Sequence, residues 1–236
     1  MTKPLKAIIL AAGESSRFWP LNREHKSLTQ IAGQPLIAHT IKSLEEKGIC
    51  HTVVIQGAHK DIEEALGERQ GVSYLVQPKA TGMGDAIAMA QGAEASLVFN
   101  AHRVDAGGDS QKIMEKAETS GAGLILQGAE TNQPQLYGIA EFEGDRVKGV
   151  VEKPAPENAP SNVRVVGSYL LPPDFPEYHK KAAAGHYSFE EALNLYVKEK
   201  DARIVMAGTS GHSLKYPWQL FEIVKYLLDA NLKGQE

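Results

Sequence analysis

The segment Leu10-Ala11-Ala12-Gly13-Glu14-Ser15-Ser16-Arg17, with Lys26 close behind, combines small residues, hydroxyls and two cations in one short stretch. Small side chains let backbone N–H groups approach a ligand, Ser15 and Ser16 add hydroxyl donors, and a positive helix or turn end favours an anion by about 0.3–1 kcal/mol. Arg17 and Lys26 supply full charges of the kind that hold phosphates. A P-loop is excluded, because no Gly-Lys-Ser/Thr follows the first glycine, and a dinucleotide-binding fingerprint needs glycine where Ser15 stands. The bland alternative is a strand-to-helix turn that carries surface cations. His25, beside Lys26, reads as a solvated turn residue rather than part of a phosphate patch. The single cysteine, Cys50, excludes an internal disulfide and any zinc site with two or four cysteines. It reads as a small buried apolar residue beside a strand.

The elements that must position these residues alternate. Short apolar runs at 6–10, 50–56, 72–77, 96–100 and 122–127 predict strands. Helical patterns at 35–47, 59–66, 84–93 and 109–119 lie between them, the first carrying Leu36, Ile37, Thr40, Ile41 and Leu44 on one face with Gly48 as a stop. Strand–helix alternation predicts an α/β fold with a doubly wound, mostly parallel sheet. The second half adds a β-rich insertion: a hairpin from runs 137–142 and 146–151 with Gly144 at its turn, then a Pro/Asn-rich loop at 154–162. A strand at 163–171, a helix at 189–200, a strand at 202–207 and a last helix at 218–232 complete the expected order. Residues 1–236 read as a single domain, with 1–128 as one half and 129–236 as the other. Trp19 and Trp218 read as core or subunit-contact aromatics, and His179-Lys180-Lys181 as a solvated helix face. In such sheets ligands bind beyond the carboxyl ends of the strands, which directs attention to the loops at 11–26, 77–84 and 100–105, to Gly138 and to Glu152-Lys153.

Composition narrows the class. The 236 residues are 42% hydrophobic and 23% charged, with a formal net charge of −4, as in an ordinary folded domain and unlike a nucleic-acid-coating protein. No apolar run reaches the roughly 18 residues of a membrane span. Glu14 and Arg17 end the first apolar run too early for a leader, so it reads as a buried strand. A cytoplasmic protein with no membrane or nucleic-acid partner is the expectation; a homo-oligomer stays open.

The run Leu10-Ala-Ala-Gly13-x-x-Ser16-Arg17-x-x-Pro20-Leu21, then Lys26 and Gly33-x-Pro35-Leu36-Ile37, resembles the sugar-1-phosphate nucleotidylyltransferases, which include glucose-1-phosphate thymidylyltransferases and uridylyltransferases. Gln77 with Gly82 five residues on resembles that family's base-reading segment, Met83 standing where the family has Thr. Tyr137-Gly138 and Val150-Val151-Glu152-Lys153-Pro154 resemble its sugar-binding half, followed by Ser161-Asn162, Val166-Gly167-Ser168-Tyr169 and Ala192-Leu193-Asn194. The resemblance implies a Rossmann-like nucleotidyltransferase fold. It implies transfer of a nucleoside monophosphate from an NTP, UTP or dTTP favoured, to a sugar 1-phosphate with release of pyrophosphate. Nucleotide contacts fall to residues Leu10, Ala11, Ala12, Gly13, Glu14, Ser15, Ser16, Gln77 and Gly82. Arg17 and Lys26 would hold the triphosphate and the leaving pyrophosphate; Lys153 would orient the nucleophile; Gly138 and Glu152 would hold the sugar. The Ser15-Ser16-Arg17 variant is also similar to cytidylyltransferases of the molybdopterin type, so a cytidylyltransferase acting on another phosphate is an alternative.

The family also implies Mg²⁺, and here the chain departs from the pattern. His102 stands where the family places a metal-binding Asp, and Ser213, beside His212, stands where it places a second. Three readings follow. Mg²⁺ arrives on the NTP phosphates with Asp105 or Asp109 helping; or His102 and His212 hold Mn²⁺ or another transition metal; or the chain binds nucleotide and sugar phosphate without turnover.

Overall fold

The computed structural model describes residues 6–21, 24–183, 185, 187–207, 214 and 216–233; His212 and Ser213 lie outside them. The chain runs β1 (Lys6–Ala11), a two-residue hairpin β2 (Gln30–Ile31) and β3 (Gln34–Pro35), α1 (Leu36–Glu45), β4 (Thr52–Gln56), α2 (Asp61–Leu66), β5 (Val72–Val76), α3 (Met83–Ala90), β6 (Ser96–Asn100), α4 (Ala106–Ser120) and β7 (Leu124–Glu130). Then come β8 (Gly138–Glu143), β9 (Arg146–Glu152), β10 (Val163–Leu171), α5 (Phe175–Lys181), α6 (Ser188–Glu199), β11 (Ala202–Met206) and α7 (Leu220–Lys233).

Nine strands form one sheet in the order β5-β4-β1-β6-β10-β7-β11-β9-β8. The first four are parallel, as alternation predicts. Beyond β6 the sheet is mixed: β10 runs antiparallel to both β6 and β7, β11 parallel to β7, and the β8–β9 hairpin extends the edge antiparallel. The expected second-half insertion is this hairpin, with Gly144 at positive φ in its turn. Its register places Gly138 opposite Glu152.

Adjacent strand residues face opposite ways, and the two faces bury separate cores. Ile8, Ile55 and Val98 join Phe175, Phe189 and Tyr196 on the α5–α6 face, while Ile9, Val54 and Phe99 join Ile37, Ile41 and Ile113 on the α1–α4 face. Burying each such side chain contributes about 1.5–3 kcal/mol. A third cluster of Phe18, Leu36, Leu214, Ile223 and Leu227 fixes α7 against the opening loop.

Several expectations fail for identifiable reasons. Cys50 is exposed, because β4 begins two residues later than the apolar run suggests. His25 is buried rather than solvated: its backbone N–H donates to Asp61 Oδ2 at 2.7 Å and its ring Nδ1 meets Ser27 Oγ at 2.6 Å. Trp19 and Trp218 are exposed, which removes the core alternative and leaves that of a subunit contact; the latter stacks on Tyr216 with ring centroids 4.6 Å apart. His179 does not lie on a solvated face. It packs on α3 so closely that a Cβ at Gly84 would sit 2.2 Å from its ring.

Candidate active site

The crevice opens where β1 and β6 end side by side. Chain crossovers leave this parallel pair in opposite directions, to β4 and from β5, which is the topological switch point. β1 delivers Leu10 and the loop after it; β6 delivers Asn100, Ala101 and His102. Ser15 turns the loop with a left-handed backbone (φ 53) and its Oγ accepts the backbone N–H of Lys26 at 3.0 Å. The loop thus folds back on itself and brings Lys26 to the same cavity wall as Arg17. Lys26 Nζ donates to the Leu214 carbonyl at 2.6 Å. Burial, and secondarily the charge of Arg17, lower its pKa from 10.5 to about 8.

A cavity of about 260 Å³ on this side is lined by Leu10, Ala12, Gly13, Lys26, Gln77 and Gly82. Gln77 is buried, and its amide nitrogen donates to its own loop, to Gly82 O at 3.1 Å and Thr81 Oγ1 at 3.3 Å. Ala11 and Glu14 line a neighbouring groove that shares Ala12, Gly13 and Gln77. Ser15 and Ser16 line neither; the Ser15 hydroxyl is spent on the loop's own geometry.

On the other side a cavity of about 390 Å³ is lined by Arg17, Lys26, Gly138, Glu152, Lys153 and Arg164. The two cavities share Lys26, Met83, Asn100 and His102 and so form one continuous cleft. The cations of the opening loop and the Glu-Lys pair of the second half, more than 120 residues apart in sequence, face the same space. Close backbone approach builds the second side. A Cβ at Gly138 would lie 2.9 Å from Glu152 Oε2, and one at Gly167, at φ +75, would lie 2.1 Å from Asn100 Nδ2. Gly167 sits in the β10 bulge between Val165 and Tyr169. Lys153, at φ 47, pairs with Glu152 at 3.0 Å and touches Tyr187 OH at 3.2 Å. The Glu152 carboxylate first, and the Tyr187 hydroxyl, raise the Lys153 pKa above its ordinary value.

Arg164 is the residue that sequence reasoning missed. It lies on β10 opposite Ile139 of β8, with its guanidinium over the Tyr137 ring at 4.7 Å. The signal was a lone charge inside a nine-residue apolar strand, which is costly unless the charge meets a partner. Glu190 lines the same cavity and was also missed, whereas Tyr137, which lines it too, belongs to the Tyr137-Gly138 motif.

His102 lines both cavities, and the residues there do not fit a protein-held Mg²⁺. Burial first, then the charges of Lys26, Arg103 and Arg164, push its pKa well below 6.5, so it is a neutral imidazole among cations. Mg²⁺ prefers several hard oxygen ligands. Asp105 and Asp109, the helpers in one of the three readings, do not line this cleft. Both are buried and paired with the fully buried Arg103, and Gln127 Nε2 also donates to Asp109 at 2.6 Å. Among the described residues no group of three His, Cys, Asp or Glu could hold a metal.

The sequence profile of the nucleotidyl transferase family matches residues 6–212. The chain is 28% identical over 182 residues to the low-salt glycan biosynthesis nucleotidyltransferase of Haloferax volcanii, a match covering 72% of this chain and half of that protein. It is 28% identical over 220 residues to a UTP–glucose-1-phosphate uridylyltransferase of Streptococcus pyogenes, covering 74% of this chain and 71% of that one. The fold superposes on UDP-glucose pyrophosphorylase in complex with UDP-glucose with a TM-score of 0.79 at 22% identity, over 96% of this chain and 99% of that chain. A UTP-bound UGPase from Acinetobacter baumannii gives a TM-score of 0.81 at 18% identity, over 95% of this chain and 93% of the other.

Proposed function

The chain belongs to the nucleotidyl transferase family, and from that premise we propose that it transfers a nucleoside monophosphate from UTP or dTTP to a sugar 1-phosphate, a step of nucleotide-sugar biosynthesis. A phosphate oxygen of the acceptor attacks the α-phosphorus. The new P–O bond forms as the bond to the β-phosphate breaks, and its electron pair leaves with pyrophosphate. Such transfer needs positioning and charge neutralisation more than covalent chemistry by the protein. Arg17 and Lys26 hold the triphosphate and stabilise the leaving pyrophosphate. Gln77 and the Gly13 loop take the nucleotide. Lys153 orients the acceptor, whose hydroxyls meet Glu152. A divalent cation enters as the counter-ion of the NTP, and no step is assigned to a metal held by the protein.

The observation that carries this reading is the single cleft shared by Arg17, Lys26 and Lys153. The test is pyrophosphate release from each NTP with a panel of aldose 1-phosphates and Mg²⁺ or Mn²⁺. Turnover with UTP or dTTP, abolished in Lys26→Ala, is expected. Silence across the panel, with binding retained, would favour the second reading, a non-catalytic nucleotide and sugar-phosphate binder, which is supported by the lack, among the described residues, of a His, Cys, Asp and Glu cluster around His102. Preference for CTP would favour a cytidylyltransferase.

A further inference from the structure

We propose that Arg164 binds the phosphate of the acceptor, so that the sugar phosphate is held by a guanidinium from β10 as well as by Lys153. This rests on the reaction proposed above and adds to it a residue that none of the sequence motifs reached. Arg164 belongs to the acceptor side of the cleft: it lines the cavity that holds Gly138, Glu152 and Lys153, and not the one that holds Gly13 and Gln77. Its side chain is held by the Tyr137 ring, 4.7 Å from the guanidinium carbon, on the residue next to Gly138. That contact leaves the planar fork fixed, and a fixed fork suits two phosphate oxygens at once.

Charge points the same way. The acceptor cavity carries the cations Arg17, Lys26, Lys153 and Arg164 against the carboxylates Glu152 and Glu190, and Glu152 is engaged by Lys153 at 3.0 Å. Burial first, and then Arg103, disfavour the charged form of Arg164, with Tyr137 opposing them, and Arg164 in turn disfavours charge on His102. A guanidinium on a wall that also carries Arg17, Lys26 and Lys153 adds positive charge where an anion would be held. A phosphate bound among these cations would lie beside the residues that both cavities share, Lys26, Asn100 and His102.

The test is calorimetric titration of the full chain with a panel of aldose 1-phosphates, with the matching free aldoses and with UTP, in wild type, Arg164→Gln and Arg164→Lys. Arg164→Gln is expected to weaken aldose 1-phosphate binding about tenfold or more, the loss of hydrogen bonds to a charged group. Arg164→Lys keeps the charge but not the fork and is expected to lose less. Affinity for UTP, which also reports that the variants are folded, and for the free aldoses should stay within about twofold. In turnover, KM for the acceptor should rise while KM for the NTP holds. Unchanged aldose 1-phosphate affinity in Arg164→Gln with UTP binding intact would overturn the proposal, as would an equal loss for the free aldose. A wild type that binds aldose 1-phosphates without turning over would sink the reaction, not the role of Arg164.

Discussion

At the residue scale, Lys26 has two opposing roles. Its pKa is lowered to about 8, first by burial and then by Arg17, so the ligand-free fold disfavours its charge. Folded, it binds protons less readily than unfolded, so its unfavourable contribution is full below about pH 8 and fades as pH rises towards 10.5. Removing the charge relieves a cost on the order of 3 kcal/mol, offset by roughly 1 kcal/mol for the lost hydrogen bond to Leu214 O. Lys26→Met is therefore expected to melt higher than wild type at pH 7 while losing NTP affinity, measured by thermal unfolding and by titration. The same ammonium sets a pH dependence. NTP affinity should fall as pH rises through about 8, where free Lys26 loses its proton, and Lys26→Arg should flatten that fall. A melt unchanged by Lys26→Met, or an affinity level from pH 7 to 9, would contradict this account.

At the level of elements, the glycines of the second half shape the acceptor side. Gly167 combines φ +75 with a Cβ position 2.1 Å from Asn100 Nδ2. Gly167→Ala is expected to cost about 1–3 kcal/mol in stability and to displace Asn100 from the wall shared by both cavities. Chemical denaturation together with UTP titration checks it, since a loss of stability with untouched binding would free Asn100 from that role. Strand and helix positions were largely legible, because β1, β6 and β10 are continuous apolar runs and α1 carries a clean helical face. α5 was legible only at its basic end, His179-Lys180-Lys181: Pro172-Pro173 reads as a stop, and the buried pair Phe175 and Tyr178 spans a single turn. The buried state of His25 was equally hidden, because it depends on Asp61, 36 residues away.

At the scale of the whole molecule, one mixed sheet carries cations from both halves to one cleft, and α7 closes on the opening loop through Phe18, Ile223 and Leu227. The motif residues Arg17, Lys26, Glu152 and Lys153 were readable because their types suit the proposed ligands, cations for phosphates and a carboxylate for sugar hydroxyls. Arg164 and the burial of Asp105 and Asp109 by Arg103 were not, since both follow from strand register and packing across the sheet rather than from local spacing. No described helix is long and apolar enough to cross a membrane.

The central claim is that this cleft holds nucleotide and sugar phosphate end to end. A crystal structure of the chain with UDP-glucose, which joins both groups in one molecule, tests it most directly. The account predicts the uracil against the Gln77 side, the diphosphate among Lys26, Lys153 and Arg164, and the hexose against Glu152. A diphosphate bound away from these three cations, or a base seated in the Glu152 cavity, would contradict it.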